Sequence, residues 1–325
     1  MPRAQSLPHH ALAGDSGTVP ERLLAGAPED TPLERAMCWV NGLPADPDAP
    51  ALSVSDRGFT LADGCFETMR CYRGVIFCLD AHMERLAATA VRMGIPVPPH
   101  LEQTVADAAR ALRTTRADAS VRLTMSRGAG AGVAAPPGVV PTTVLLIGRL
   151  PAVPATLATT GLTVRIASGR RNEHAPSAGL KTLSYTDTVL ALTEARARGA
   201  GDALFLDTAG HLCEGTSSNL FLVTGGIVRT PPRSCGILPG ITRQAVLGIL
   251  ESLGIPAEEV PIWPEELNDA DEVFLTSSLR EIAPVTRSDE RAVGSGRPGP
   301  LTGRIRDAYH GLVATAIADE FDGTT

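Results

Sequence analysis

Along the chain, short runs of period two alternate with longer runs of period three to four. Met37-Cys38-Trp39-Val40 reads as a strand that stops at the turn pair Asn41-Gly42. Residues 64–77 read as a hairpin turning at Arg73-Gly74. A helix follows from Asp80, the candidate N-cap, to about Met93. Its apolar residues Met83, Leu86, Ala87, Ala90 and Val91 fall on one side, and Gly94 and Pro96 stop it. A second helix over about 101–113 leads to a strand over 120–127. After the Gly/Ala/Pro loop 128–138, a strand over 143–147 closes the first half.

The second half repeats the mixture. A strand over 162–168 and an irregular stretch precede a helix over about 184–198. A hairpin of 203–207 and 212–223 turns at Thr208-Ala209-Gly210. A strand over about 226–230, a helix opening after Pro239-Gly240 and running to about Leu253, a strand over 272–275 and a helix over about 301–318 complete it. Residues 1–36 have no period and read as a poorly ordered extension, with a short turn of helix at Pro20 to Leu24. The pattern predicts a mixed α/β (α+β) chain. Its expected parts are the extension 1–36, a smaller α/β domain 37–148, a linker 149–160 carrying Pro151 and Pro154, and a larger domain 161–325.

Composition narrows the class. A length of 325 residues suits two domains, and 43% hydrophobic with 4% aromatic content points to cores of Leu, Val, Ile and Ala. A formal net charge of -7 argues against nucleic acid or a membrane surface as partner. The six cysteines, at 38, 65, 71, 78, 213 and 235, form no Cys-x-x-Cys pair and have no paired histidines nearby, so the expectation is no metal and no disulfide framework. Reduced thiols suit the cytoplasm. No run of about 18 apolar residues could span a membrane.

The candidate chemistry begins with an anomaly. Among 29 basic residues there is one lysine, Lys181, and the other 28 are arginine. Arginine can supply positive charge almost anywhere, but its guanidinium never gives up its proton and so cannot form a Schiff base at neutral pH. A primary amine whose pKa is lowered by burial can. The competing account is that an arginine-biased composition left one lysine by chance. Three other features bear on the choice. Glu214, in Cys213-Glu214-Gly215-Thr216-Ser217-Ser218-Asn219, could hold a pyridine nitrogen protonated, or could be an ordinary capping carboxylate. Pro239-Gly240-Ile241-Thr242 opens a helix whose free N–H groups suit an anion, and Thr276-Ser277-Ser278 could add hydroxyls; either could be a plain turn. Arg85, three residues from His82, could bind phosphate or lie in solvent.

Taken together, Asp63-Gly64-Cys65-Phe66-Glu67-Thr68, His82-Met83-Glu84-Arg85-Leu86, Lys181, Glu214-Gly215-Thr216-Ser217-Ser218-Asn219-Leu220-Phe221, Gly240-Ile241-Thr242-Arg243 and Thr276-Ser277-Ser278 stand in the order of a known family. Over roughly residues 38–290 the chain resembles the class-IV pyridoxal-phosphate enzymes of fold type IV. These include branched-chain aminotransferases, D-amino acid aminotransferases and 4-amino-4-deoxychorismate lyase.

The resemblance implies a two-domain homodimer with pyridoxal 5'-phosphate at the domain interface and a small-molecule amine as substrate. Lys181 would carry the cofactor as a Schiff base and act as the catalytic base, and Glu214 would face the ring nitrogen. Arg85, the N–H groups of Ile241 and Thr242, and Ser278 would hold the phosphate, and Tyr185 would reach the ring oxygen. The histidine of the D-amino acid enzymes is missing at Arg127-Gly128-Ala129, and the tyrosine of the branched-chain enzymes at Ser120-Val121-Arg122. Asp63-Gly64-Cys65-Phe66, Ser126-Arg127-Gly128-Ala129-Gly130 and Gly179-Leu180-Lys181-Thr182 look more like the lyase. The expected reaction is therefore 4-amino-4-deoxychorismate to 4-aminobenzoate and pyruvate, a step of folate biosynthesis. The alternative is a transaminase of branched-chain, D- or specialised amino acids with a 2-oxo acid acceptor. A non-catalytic scaffold is the third reading, against which Lys181 and Glu214 both weigh. Arg122 and Arg127 are the candidate substrate residues. Their odd spacing puts them on opposite faces of a strand, and Arg127 is the expected carboxylate ligand, with a structural ion pair as the competing role.

Overall fold

A computed structural model describes Leu33, residues 35–154 and residues 156–322. The expected extension, including Pro20 to Leu24, lies outside the described residues except for Leu33, Arg35 and Ala36.

The first half is a six-stranded antiparallel sheet. Its strands are Met37–Val40 (β1), Leu43–Ala45 (β2), Gly64–Tyr72 (β3), Val75–Ile76 (β4), Ala119–Ser126 (β5) and Thr142–Gly148 (β6), in the order β2-β1-β6-β5-β3-β4. Both tight turns are left-handed: φ is 49° and 85° at Asn41-Gly42, which those residues favour, and 49° and 90° at Arg73-Gly74, where only the glycine does. A short helix, Arg57–Leu61 (α1), precedes β3, and Leu79–Met93 (α2) and Leu101–Thr115 (α3) lie between β4 and β5. Period-two alternation sorts the sheet into two faces. Odd-numbered Cys65, Met69, Val121, Leu123, Met125, Leu145 and Ile147 pack with Leu86 and Ala90 of α2 and Val105, Ala108 and Leu112 of α3. Truncating one of these, such as Leu123→Ala, costs about 2–5 kcal/mol. Even-numbered Phe66, Thr68, Ser120, Arg122, Leu146 and Gly148 line a cavity instead.

The second half starts after a short helix, Leu157–Thr160 (α4), that ends the connection between the sheets. Nine strands follow: Leu162–Arg170 (β7), Asp202–Leu206 (β8), Leu212–Gly215 (β9), Asn219–Thr224 (β10), Ile227–Thr230 (β11), Ala257–Glu259 (β12), Glu272–Ser277 (β13), Glu281–Ser288 (β14) and Arg291–Ala292 (β15). The path β10-β13-β14-β7-β8-β9 closes on itself where Asn219 pairs with Glu214, so the sheet curls into a ring. Leu204, Leu212, Leu220, Leu222, Val273, Leu275 and Val285 form one core cluster. Phe221, Val223 and Phe274 form another, with Val246 and Leu250 of helix Ile241–Ser252 (α6) and Ile305, Tyr309 and Val313 of helix Pro300–Asp322 (α7). A smaller cluster packs Ala191 and Ala195 of Thr186–Ala197 (α5) against Phe205 and Cys213. Among the described residues, no helix is long and apolar enough to cross a membrane.

Four local features differ from the sequence pattern or had no counterpart in it. Asp80 does not cap α2: Cys78, left-handed at φ 52°, is the cap, and Asp80 sits in the first turn where its charge favours the helix dipole. The stretch 55–61 contains a helix, α1, capped by Asp56 accepting from Gly58 N–H. The strand expected over 212–223 breaks at 216–218, because Thr216 and Ser218 turn inward to the buried Asp202. The pattern also gave no sign of β14, whose Pro284 argues against an interior strand. Pro284 pairs only with Phe274 of β13, and the ladder to β7 begins one residue later at Val285.

Candidate active site

The cavity, of about 610 Å³, lies between the even face of the first sheet and the open end of the ring. The segment holding Lys181 is pinned across that junction by backbone bonds. Lys181 O accepts from Phe66 N–H at 3.1 Å, and Leu183 N–H donates to Gly64 O at 2.9 Å. Gly64 permits the approach, since a Cβ there would stand 2.5 Å from Met125 O and 2.7 Å from Leu183. Lys181 Nζ donates to Tyr185 Oη at 3.2 Å and lies 4.5 Å from the centre of the Phe66 ring. Burial first, then the Arg85 cation, push the amine down to about 8, against the pull of Glu67 and Glu214. A lysine so placed has a usable fraction of neutral amine near neutral pH.

Glu214 ends β9 and faces the same space. Its Oε2 accepts from Leu238 N–H at 2.9 Å, and Arg171 Nε stands 3.4 Å from Oε1. At one side of the cavity Ile241 and Thr242 begin α6, whose cap residue Gly240 makes no side-chain capping bond. A Cβ at Gly240 would lie 2.0 Å from Asn219 Oδ1, so any larger residue would displace the Asn219 side chain from its bond to Leu238 O. Thr276, Ser277 and Ser278 line the cavity as well, and Thr276 Oγ1 is buried without a hydrogen-bond partner. Arg85 lines it from α2, with Nε and Nη2 on Glu67 at 2.8 and 2.7 Å and Nη1 on Pro239 O at 2.8 Å. Glu67 is fully buried; burial opposes its charge, but hydrogen bonds from Arg85 and His82 hold the carboxyl down to about 2.

The structure thus brings Lys181, Tyr185, Glu214, Arg85, Ile241, Thr242, Ser278 and Arg122 to one cavity. The group they would fit carries an anion, a basic ring nitrogen and a carbonyl carbon. The hydroxyl of Thr276 and the bare helix start would suit the anion, Glu214 the nitrogen and Lys181 the carbonyl.

Arg127 is not among them. Of the two candidate substrate arginines, Arg122 lines this cavity and Arg127 does not. Arg122 lies on the cavity face with its guanidinium 3.8 Å from the centre of the Phe66 ring, and no carboxylate partner is found among the described residues. Arg127, just past β5, grips Asp63 with Nε at 2.8 Å and Nη2 at 3.1 Å and also donates to Met93 O and Gly94 O at 2.8 Å. It thereby closes the end of α2.

Two residues escaped the sequence reading. Asp202, fully buried, collects Thr216 N–H and Oγ1, Ser218 Oγ and Arg280, tying the two loops that border the cavity. Its only signal is an acid at the start of an apolar strand. Arg171 stands beside Glu214, and nothing in Arg170-Arg171 distinguishes it from the other arginines. One group among the described residues, Asp207, His211 and Cys235, brings three ligand-type atoms within 4.8 Å. Asp207 there is occupied by His211, accepting its N–H at 2.8 Å and meeting Nδ1 at 3.1 Å.

The chain matches known proteins in both sequence and fold. The family described as amino-transferase class IV matches residues 64–288. The branched-chain-amino-acid aminotransferase of Salmonella typhimurium is 32% identical over 294 residues, covering 87% of this chain and 94% of the relative. The branched-chain amino acid aminotransferase of T.th., solved with pyridoxamine 5'-phosphate, superposes with a TM-score of 0.80 at 29% identity, over 86% of this chain and 94% of that one. The 4-amino-4-deoxychorismate lyase of Pseudomonas aeruginosa superposes with a TM-score of 0.75 at 33% identity, over 83% and 97%.

Proposed function

We propose, from the premise that this chain belongs to the amino-transferase class IV family, that it is a pyridoxal 5'-phosphate-dependent transaminase moving an amino group between an amino acid and a 2-oxo acid. The carrying observation is the lone lysine amine, half-buried and pushed down to about 8, facing a cavity that also holds Glu214, a bare helix start and Arg122, which has no carboxylate partner among the described residues. The expected lyase reaction has less support. Relatives named as branched-chain aminotransferases span nearly the whole chain, and the Arg122 site suits the single carboxylate of an amino acid. Phe66, Leu146 and Val153 give the wall around Arg122 an apolar lining, which favours an aliphatic side chain.

When bound, pyridoxal phosphate supplies the carbonyl carbon that takes up the amino group and a ring that stores electrons. Lys181 would hold it, and Nζ would take the proton from the substrate carbon and return it on the product side. Tyr185 Oη, 3.2 Å away, would orient that amine. Glu214, with Oε2 fixed by Leu238 N–H, would face the ring nitrogen. Ile241 and Thr242 N–H groups, the hydroxyls of Thr276 and Ser278, and Arg85 would hold the phosphate. Arg122 takes the substrate carboxylate, bidentate geometry being what a guanidinium offers.

We assign the enzyme to the cytoplasm on its six free thiols, and we propose a homodimer. Val54, Phe59 and Val133 are 85%, 80% and 87% exposed on neighbouring segments, joined where Arg57 donates to Val133 O. Light scattering should give a dimer; a monomer at micromolar concentration would contradict it. The activity test has two arms. Branched-chain and D-amino acids are supplied with 2-oxoglutarate and glutamate is measured, and 4-amino-4-deoxychorismate is supplied alone and pyruvate is measured. Glutamate formation is expected. Pyruvate release without glutamate would replace the transaminase with the lyase, the reading that the Pseudomonas aeruginosa neighbour favours.

A further inference from the structure

Glu214 is 8% exposed, and one of its oxygens is poorly served. Oε2 has the Leu238 N–H, but Oε1 has no hydrogen-bond donor among the described residues. Burying an ionised carboxylate with half its acceptors unmet is costly, and such a group tends to neutralise. A neutral Glu214 could not hold a ring nitrogen in its protonated form. Something must keep the charge in place.

Arg171 is built to do so. It follows β7 directly, and its main chain is tied to β8 by Arg171 N–H to Leu206 O at 2.8 Å. Its guanidinium lies 4.2 Å from the centre of the Phe205 ring, and Nη2 donates to Thr188 Oγ1 on α5 at 3.2 Å. Ring and hydroxyl fix the plane without neutralising the charge. Nε is buried, has no hydrogen-bond partner among the described residues, and stands 3.4 Å from Glu214 Oε1. The contact is close enough for charge, yet it leaves Oε1 open toward the cavity that both residues line.

We propose that Arg171 is a positioning residue acting through Glu214: it keeps that carboxylate ionised and leaves Oε1 turned to the cavity, so that a ring nitrogen placed there stays protonated. The proposal rests on the assignment of Glu214 made above. The other groups facing Glu214 are Lys181 and Tyr185 from the lysine segment, the Leu238 N–H and the neighbouring Cys213 thiol. Burial raises the Glu214 carboxyl, and Arg171 is the foremost opposing influence, ahead of Leu238 and Lys181. Lys181 changes its charge as it reacts, whereas Arg171 cannot.

The test needs no turnover. In the apoprotein, infrared difference spectra recorded against pH follow the Glu214 carboxyl, identified by its loss in Glu214→Gln. In Arg171→Met and Arg171→Gln the carboxyl should titrate at least about one pH unit higher than in the unaltered protein, and Arg171→Lys should return it most of the way. In protein reconstituted with ring-15N-labelled pyridoxal phosphate, the nitrogen resonance should move toward the unprotonated position in Arg171→Met and back in Arg171→Lys. An unchanged Glu214 titration in whichever neutral variant folds overturns the role of Arg171. Failure of the unaltered protein to take up pyridoxal phosphate overturns the cofactor assignment instead, and leaves the apoprotein titration interpretable on its own.

Discussion

Two arginine-rich regions flank the first sheet, and they treat their guanidinium groups in opposite ways. At the corner beyond β3, Asp63 is held by Arg57 Nε and Arg127 Nε, both at 2.8 Å. The other nitrogens of the two arginines end on the carbonyls of Gly132, Val133, Met93 and Gly94. Burial opposes the Asp63 charge, but Arg127 and Arg57 hold its carboxyl below the ordinary range. In the cavity, Arg122 has a ring face and no carboxylate partner among the described residues, and Arg171 leaves a buried nitrogen without a hydrogen bond. The first region is saturated and stabilises the fold. The second keeps polar capacity unused by the protein, and a ligand can take it up. An arginine's identity does not separate Arg122 from Arg127; the completeness of their partners does, whereas Arg85 lines the cavity with its nitrogens already held by Glu67 and Pro239 O.

The comparison can be broken most decisively at the amine. Lys181→Ala should lower transamination by roughly a thousandfold or more, since both the covalent anchor and the base disappear. The yellow colour of the reconstituted protein should vanish as well, and a retained spectrum would place the attachment elsewhere. Next in size is Arg122→Met. Loss of a charged hydrogen-bonding partner, worth about 1.5–3 kcal/mol, should cut kcat/KM for the 2-oxo acid by about 10- to 150-fold while uptake of pyridoxal phosphate stays unchanged. Equal loss of cofactor uptake would show that Arg122 supports the fold as Arg127 does.

Arg127→Met should give the reverse profile. It should destabilise the fold by about 2 kcal/mol, discounted for a partly exposed pair, with kcat/KM per folded molecule nearly intact. A selective rise in KM would return Arg127 to the substrate site. Because the Asp63 carboxyl is depressed in the folded state, the corner's stabilisation is complete above the unfolded value near 3.8 and is lost as pH falls below it. Urea melts of Arg127→Met and the unaltered protein should therefore converge in acid. The smallest effect is titration of the amine. With Lys181 at about 8, capture of pyridoxal phosphate by apoprotein should accelerate by about tenfold from pH 7 to pH 9 and level off above, measured by stopped-flow absorbance. A flat profile over that range would mean that the amine is neutral throughout.

Much of the scaffold was legible in the chain. The Asn41-Gly42 and Arg73-Gly74 turns, the stop at Gly94 and the helix after Gly240 all rest on backbone preferences that a few neighbouring residues decide. The strand break at Thr216-Ser217-Ser218 was hidden because its cause, Asp202, lies 14 residues away for Thr216. Pro284 misled for a similar reason: a proline is tolerated beside the point where one ladder begins, and the register that places it there comes from β7, far back in the chain.

The lone lysine among 28 arginines, the order of the motifs around it and the alternation that gives the first sheet a packed face and a mixed, cavity-lining one were all determined by the sequence itself. These are properties of residue chemistry and of a two-residue period. Tertiary structure alone decided which arginine is free. Asp63 lies 64 positions from Arg127, Glu214 43 from Arg171, and hydrogen bonds and ion pairs form between whatever the fold brings within reach. A local pattern records where a side chain starts; the partners that neutralise it, or leave it ready for a ligand, arrive from other strands and helices.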